Sequence, residues 1–133
     1  MPRYMLDTDI ASYVMKGSSA PVLAKLRKLD VTDVCISVVT RCELAFGVEL
    51  SPQRARDEAR LLVLLKHIEV LDFPERAASD YGRIRADLHR RGAMIGGNDL
   101  LIAAHALCLG LTLVTNNTRE FGRVKGLKFE NWT

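Results

Sequence analysis

The sequence predicts an α/β fold, a small parallel sheet of four to five strands with helices on both faces. Three observations carry this. Apolar runs of three or four residues recur along the chain, separated by stretches of helical periodicity. The runs are continuously apolar, as strands covered on both faces require. The stretches between them are long enough for a crossover helix, which parallel neighbours need. With 133 residues, 48% of them hydrophobic and 26% charged, the chain suits one domain over residues 1–133 with a real core.

The elements follow in order. Tyr4-Met5-Leu6 is the first strand and ends on Asp7. A short helix runs from about Ile10 to Lys16, stopped by Gly17. Ser19 caps the next, with Pro21 in its first turn, and it reaches about Leu29. Val34-Cys35-Ile36 is a second strand, ending at Ser37, and a helix follows from Val38 to Leu50. Another runs from Pro52 to His67, with Leu61, Leu62, Leu64 and Leu65 expected inside. Ile68 to Leu71 is the third strand, and Pro74 opens a helix to about Arg91, which Gly92 ends. Gly96-Gly97 keep the next loop open. Asp99 to Leu109 is a strongly apolar helix closed by Gly110. Leu111 to Val114 is the fourth strand, and Leu127-Lys128-Phe129 a short fifth. Ligands of such sheets bind beyond the carboxyl ends of the strands.

Composition narrows the class. The three cysteines, Cys35, Cys42 and Cys108, form no CxxC pair and sit among apolar neighbours, as buried thiols of a reducing compartment do. The start reaches a charge too early for a signal peptide, and no apolar run is long enough for a membrane span. The expectation is a soluble, cytoplasmic protein. Net charge is +3; setting aside Asp7, Glu43, Asp99 and Glu120 leaves nineteen basic against twelve acidic residues, +7. A basic exterior around an acidic pocket suits a polyanionic substrate, although a solvated surface explains the charge alone equally well.

Those four acids are the candidate site. Asp7 follows strand one, where a helix cap is the simple alternative. Glu43 shares a helical stripe with Val39, Phe46, Gly47 and Leu50, so a carboxylate is expected on a core-facing stripe. Such a group needs an ion-pair partner or a metal. Asp99 opens the central apolar helix, where it also suits the helix dipole. Strand four ends in Thr115-Asn116-Asn117, followed by Glu120, a turn that puts more polar groups at a carboxyl end. Two carboxylates 4 Å apart repel by roughly 4 kcal/mol at an effective dielectric of about 20. A divalent cation relieves that, and an all-oxygen set selects Mg2+ or Mn2+. Such a cluster at a sheet edge points to phosphate chemistry.

Other motifs add little. His67, His89 and His105 lack metal spacing, and His105 reads as a core or rim histidine. There is no GxSxG elbow, P-loop or dinucleotide fingerprint. The arginines Arg54, Arg56 and Arg60, and Arg83, Arg85, Arg90 and Arg91, read first as solvated helix faces and second as phosphate or acidic-partner contacts. RNA-contacting residues are not legible.

Four segments together resemble a known family: Met5-Leu6-Asp7-Thr8-Asp9, Arg41 to Gly47, Asn98 to Ala106, and Leu113 to Phe121. In order, spacing and total length the chain resembles the PIN-domain nucleases, and among them the VapC toxins of bacterial toxin–antitoxin pairs. The resemblance implies a PIN-like three-layer fold and an acidic quartet for Mg2+ or Mn2+. Asp7 and Asp99 match the principal metal ligands and Glu43 the third acid. Asn117 falls where many relatives carry a fourth acid, and Glu120 is a nearby carboxylate; which of the two orders the attacking water stays open. Thr8 and Thr115 resemble the polar residues behind the ligands, and Asp9 stands where relatives often have Asn.

The activity implied is endoribonuclease cleavage, often of transfer RNA in the anticodon region, and length and ending resemble toxins acting on initiator transfer RNA. Water activated by metal predicts 5′-phosphate and 3′-hydroxyl ends. The implied partner is a VapB antitoxin whose tail lies over the site, within a complex of toxin homodimers. The antitoxin carries the DNA-binding domain, so this chain is not expected to bind operator DNA alone. Two other readings compete. Asp7-Thr8-Asp9 fits the nucleophile motif of haloacid-dehalogenase-like phosphatases, without its usual Gly or cap; a phosphoacceptor receiver needs a Lys that strand four lacks. A PIN domain that only binds RNA or a partner is the third, and the filled acidic positions argue against it.

Overall fold

Tyr4–Leu6 (β1) is the middle strand of a five-stranded, wholly parallel sheet. The structure, a computed structural model, describes residues 2–133. On one side of β1 lie β2 (Val34–Ser37) and then β3 (Glu69–Leu71); on the other lie β4 (Thr112–Val114) and then β5 (Phe129–Glu130). The helices are α1 (Thr8–Lys16), α2 (Ala20–Arg27), α3 (Val38–Leu50), α4 (Arg54–His67), α5 (Ala77–Arg90), α6 (Gly97–Leu109) and α7 (Thr118–Phe121). A 3-10 turn at Val31–Asp33, not foreseen, leads into β2.

The strands alternate between two cores, because successive side chains leave opposite faces. Met5, in register with Cys35 and Leu113, faces α5, α6 and α7, where Leu88, Leu100, Ala103 and Phe121 pack. Leu6, in register with Ile36 and Val114, faces α1 to α4, where Ile10, Val22, Leu44, Leu61 and Leu64 pack. Both cores are dry and apolar, and the three-layer expectation holds. No helix among the described residues is long and apolar enough to cross a membrane.

Several boundaries differ for local reasons. α1 starts at Thr8 because Asp7 itself caps it. Pro52 and Pro74 stand before α4 and α5, in turns. Leu62 is 55% exposed, since it lies about 100° around α4 from buried Leu61. Ile68 closes α4, so β3 begins one residue later. β5 is Phe129–Glu130, and buried Leu127 packs from the loop before it. Cys35 is buried as expected, but Cys42 is exposed and Cys108 half-buried.

Sheet growth reverses at β1: the chain adds β2 and β3 on one side, then β4 and β5 on the other. The crevice at the carboxyl ends of β1 and β4 is therefore a topological switch point. Asp7 leaves β1 there and Thr115 leaves β4.

Candidate active site

Asp7 is fixed before any chemistry is considered. Its N–H donates to the Val114 carbonyl at 2.9 Å, and its Oδ1 accepts the Ile10 N–H at 2.9 Å, capping α1. The cap and the site are one residue. Burial raises its carboxyl to about 6; the neighbouring Asp9 and Glu43 charges add to this, while the Thr115 hydroxyl and Ile10 N–H oppose it.

Glu43 comes from the second turn of α3 and is half-buried. The Thr8 hydroxyl donates to its Oε1 at 2.5 Å and lies 3.2 Å from the hydroxyl of buried Thr40. The expected core stripe is a correction. α3 buries Thr40, Leu44 and Val48, one position around from Glu43. Phe46 and Leu50, on the glutamate's stripe, are 65% and 69% exposed. Glu43 thus stands at the margin between core and an exposed apolar face.

Asp99 lies in the first turn of α6, which begins at Gly97, two residues earlier than expected. Gly96 caps that helix, so the two glycines form its entry and not an open loop. Burial raises the Asp99 carboxyl to about 7, reinforced by Glu120, then Glu43 and Asp7. A Cβ on Gly96 would stand 3.4 Å from Asp99 Oδ2 and 3.6 Å from Glu120 Oε1, so glycine keeps that space clear.

Glu120 behaves oppositely. Burial works against its charge. The Gly96 N–H at 2.8 Å, contacts with Asp99 and Asn117, and the Arg123 charge outweigh that and hold it below the usual carboxylate range. Asn117 Nδ2 donates to Glu120 Oε2 at 2.5 Å, and the Asn117 N–H donates to Thr115 Oγ1 at 2.9 Å. Asn116 turns away and donates to the Tyr13 hydroxyl at 2.8 Å.

Asp7, Thr8, Asp9, Glu43, Asp99 and Asn117 line one cavity of about 170 Å³, floored by Phe121. Glu120 stands behind Asn117 and lines an adjoining cavity of about 360 Å³. Fully buried Thr115 supports Asp7 and Asn117 from below. All seven expected residues therefore converge, Glu120 and Thr115 from just outside the cavity. Among the described residues no Lys or Arg forms an ion pair with Asp7, Glu43 or Asp99. Nothing cationic therefore offsets the burial and the neighbouring acids that raise the Asp7 and Asp99 carboxyls.

These donors fit a hard divalent cation: all are oxygens, they repel one another, and Gly96 leaves room. They are not gathered on one point. Among the described residues no three acidic, histidine or cysteine side chains stand as a ready ligand set. The carboxylates rest instead on Thr8, Gly96 and Asn117. A larger cavity, about 510 Å³, is apolar and lies between α1, α2 and α4, away from this chemistry.

Sequence reading placed Gly96 in an open loop before Asp99 and missed its N–H bond to Glu120; it missed Thr40 and Tyr13 altogether. Thr40 and Tyr13 carried no signal, because their roles depend on contacts across the fold.

The profile of the PIN domain family matches residues 4–127. The tRNA(fMet)-specific endonuclease VapC of Shigella flexneri is 43% identical over 133 residues, covering 100% of both chains. Ribonuclease VapC2 of Haemophilus influenzae is 41% identical over 132 residues, 99% of each chain. Among solved structures, DNA-bound VapBC from Salmonella typhimurium aligns with a TM-score of 0.93 at 38% identity, over 100% of both chains. VapBC2 from Rickettsia felis, bound to a promoter DNA fragment, aligns with a TM-score of 0.91 at 36% identity, over 98% of both.

Proposed function

The chain belongs to the PIN-domain family, in its VapC ribonuclease branch, and from that premise we propose that it is a metal-dependent endoribonuclease toxin whose substrate is transfer RNA. The observation that carries this is the cavity in which Asp7, Glu43 and Asp99 meet without a cationic side chain. The substrate follows from two relatives named as tRNA(fMet)-specific endonucleases, at 43% and 38% identity. The VapB-type antitoxin is the proposed partner, supported by the VapBC complexes that match the fold. The apolar lining of the cavity between α1, α2 and α4 supports a protein partner as well.

Asp7, Asp99 and Glu43 would hold the cation, Mg2+ or Mn2+. When bound, it supplies charge neutralisation at the phosphoryl oxygen and makes water more acidic. The residues do the remainder. Thr8 holds Glu43 by its Oε1, leaving Oε2 free toward the cavity. Asn117 and the Gly96 N–H hold the Glu120 carboxylate ionised at neutral pH. Glu120 is then the base that accepts a proton from the attacking water, and Asn117 is the residue that orients it. Thr115 keeps Asp7 and Asn117 in register. In-line attack by water forms a new P–O bond as the P–O3′ bond breaks, the departing O3′ takes a proton from solvent, and 5′-phosphate and 3′-hydroxyl ends result. No 2′-hydroxyl takes part. The exposed Phe46 and Leu50 on α3 support a homodimer.

Mapping the ends of the cleaved RNA tests this reading. Cyclic phosphate ends would sink it, because they require 2′-hydroxyl attack.

A further inference from the structure

Most of the arginines on the helix faces are already engaged. Arg54 pairs with Glu49 and Glu58, Arg56 and Arg60 with Asp57, Arg83 with Asp80, and Arg91 with Asp87. Arg119 is exposed and, like Arg27, Arg41, Arg85 and Arg90, has no carboxylate within ion-pair distance among the described residues; of these five it is the one that lines the cavity beside the acidic centre. Its nearest neighbour in sequence, Glu120, is held by the Gly96 N–H and Asn117.

Arg119 lines the polar cavity of about 360 Å³ together with Gly96, Asn117, Glu120, Arg123 and half-exposed Met94. Asn117 also lines the acidic cavity, so the two spaces share a wall. Arg123 braces the outer side: its guanidinium donates to the Met94 carbonyl at 3.1 Å, and its own carbonyl accepts from Arg91 at 2.6 Å. That frame ties Arg123 to residues 93 and 94 and leaves Arg119 as the cation lining this cavity that has no hydrogen-bond or ion-pair partner among the described residues.

From this geometry we infer that the cavity beside the acidic centre is a subsite for an RNA backbone phosphate flanking the cleaved bond, with Arg119 as its contact and Arg123 as its brace. The inference rests on the nuclease reading for its substrate class. A guanidinium suits a phosphate because its fork of N–H donors matches two phosphate oxygens. Such a contact sets the strand's register without reading sequence. It also offsets the repulsion a polyanion meets on approaching four carboxylates, an attraction the acidic cavity cannot supply.

The test measures binding, apart from cleavage. A fluorescein-labelled single-stranded uridine oligonucleotide is titrated in EDTA over a range of salt. Arg119→Gln is expected to weaken binding about tenfold and to lower the salt slope by roughly 0.7, the loss of one single-strand phosphate contact. Arg119→Lys is expected to restore most of the slope, and Arg83→Gln, which opens only a surface ion pair, to change neither. Unchanged affinity and slope in Arg119→Gln would overturn the subsite. So would an equal loss in Arg83→Gln, or no RNA binding by the wild type, or a loss confined to binding an acidic protein partner. Cleavage of transfer RNA separates the two claims. Arginine-dependent binding without metal-dependent cleavage removes the nuclease reading and keeps the subsite. Cleavage with Arg119-independent binding does the reverse.

Discussion

Thr8 donates its hydroxyl proton to Glu43 across 2.5 Å, and this bond joins the exit of the central strand to the second turn of α3. Residues 35 apart in sequence thereby place the third acid over the cavity that Asp7 and Asp99 enter from β1 and α6. Removing the hydroxyl while keeping the shape isolates that bond. Thr8→Val is expected to lower kcat roughly tenfold, the worth of one charge-assisted hydrogen bond, with little change in melting temperature. Steady-state cleavage and thermal melting measure the two effects.

Asp7→Asn should separate function from stability. Asn still caps a helix, so α1 keeps its N-terminus. The substitution removes a buried charge, so the metal-free protein is expected to melt higher near neutral pH while cleavage falls roughly a hundredfold or more. Loss of stability in metal-free Asp7→Asn would show that the carboxylate is there for the fold.

The metal-free protein should lose stability as pH rises. Asp7 titrates near 6 when folded against 3.8 in its ordinary state, and Asp99 near 7. The folded state therefore binds more protons than the unfolded state across that interval, so unfolding free energy falls with pH. Asp7 alone accounts for about 3 kcal/mol between its two values. Added Mg2+ should restore the loss above pH 7, and binding at or below about pH 7, where these carboxyls still hold protons, should release them. Melting curves with EDTA or Mg2+ at several pH values check the sign.

Asn117→Ala should lower activity at neutral pH by loosening Glu120 and the water it acts on. Its amide helps hold Glu120 below the usual range, so its loss returns Glu120 toward the ordinary value. Activity at neutral pH is expected to fall roughly tenfold, and Glu120→Gln to fall further, roughly a hundredfold, with the acid limb that Asp7 and Asp99 set still present.

Gly96→Ala should affect the site without disturbing the helix. The backbone at Gly96 has φ −58°, which any residue adopts, so the fold tolerates a methyl. That methyl would stand 3.4 Å from Asp99 Oδ2, in space a cation or its water would use. Mg2+ affinity by calorimetry should drop, with melting of the metal-free protein unchanged.

The sequence made much of this legible, for uneven reasons. Asp7 and Thr115 were readable because short apolar runs mark strands, and parallel sheets collect their ligands at the strand ends; Asp99 was readable because it opens a strongly apolar helix. Asp7 also illustrates a false choice: helix cap and site acid are the same carboxylate. Glu43 was found through a stripe expected to be core, yet Phe46 and Leu50 on that stripe face solvent. Periodicity identifies an apolar stripe but cannot say whether the same chain covers it. His105 was expected to be a core or rim histidine and is fully buried, its Nδ1 2.8 Å from the Ser37 hydroxyl that caps α3. Its Nε2 has no partner among the described residues, a detail no sequence pattern carries. Arg119 was equally invisible, because which arginine lines the cavity beside the acids depends on the fold.

The most direct measurement of the central claim is cleavage of total transfer RNA by antitoxin-free protein, with Mg2+ or EDTA, beside Asp7→Asn and Asp99→Asn. The account predicts a discrete cut with 5′-phosphate and 3′-hydroxyl ends, abolished by EDTA and by either substitution. A cut that persists in EDTA, or in both variants, would contradict it.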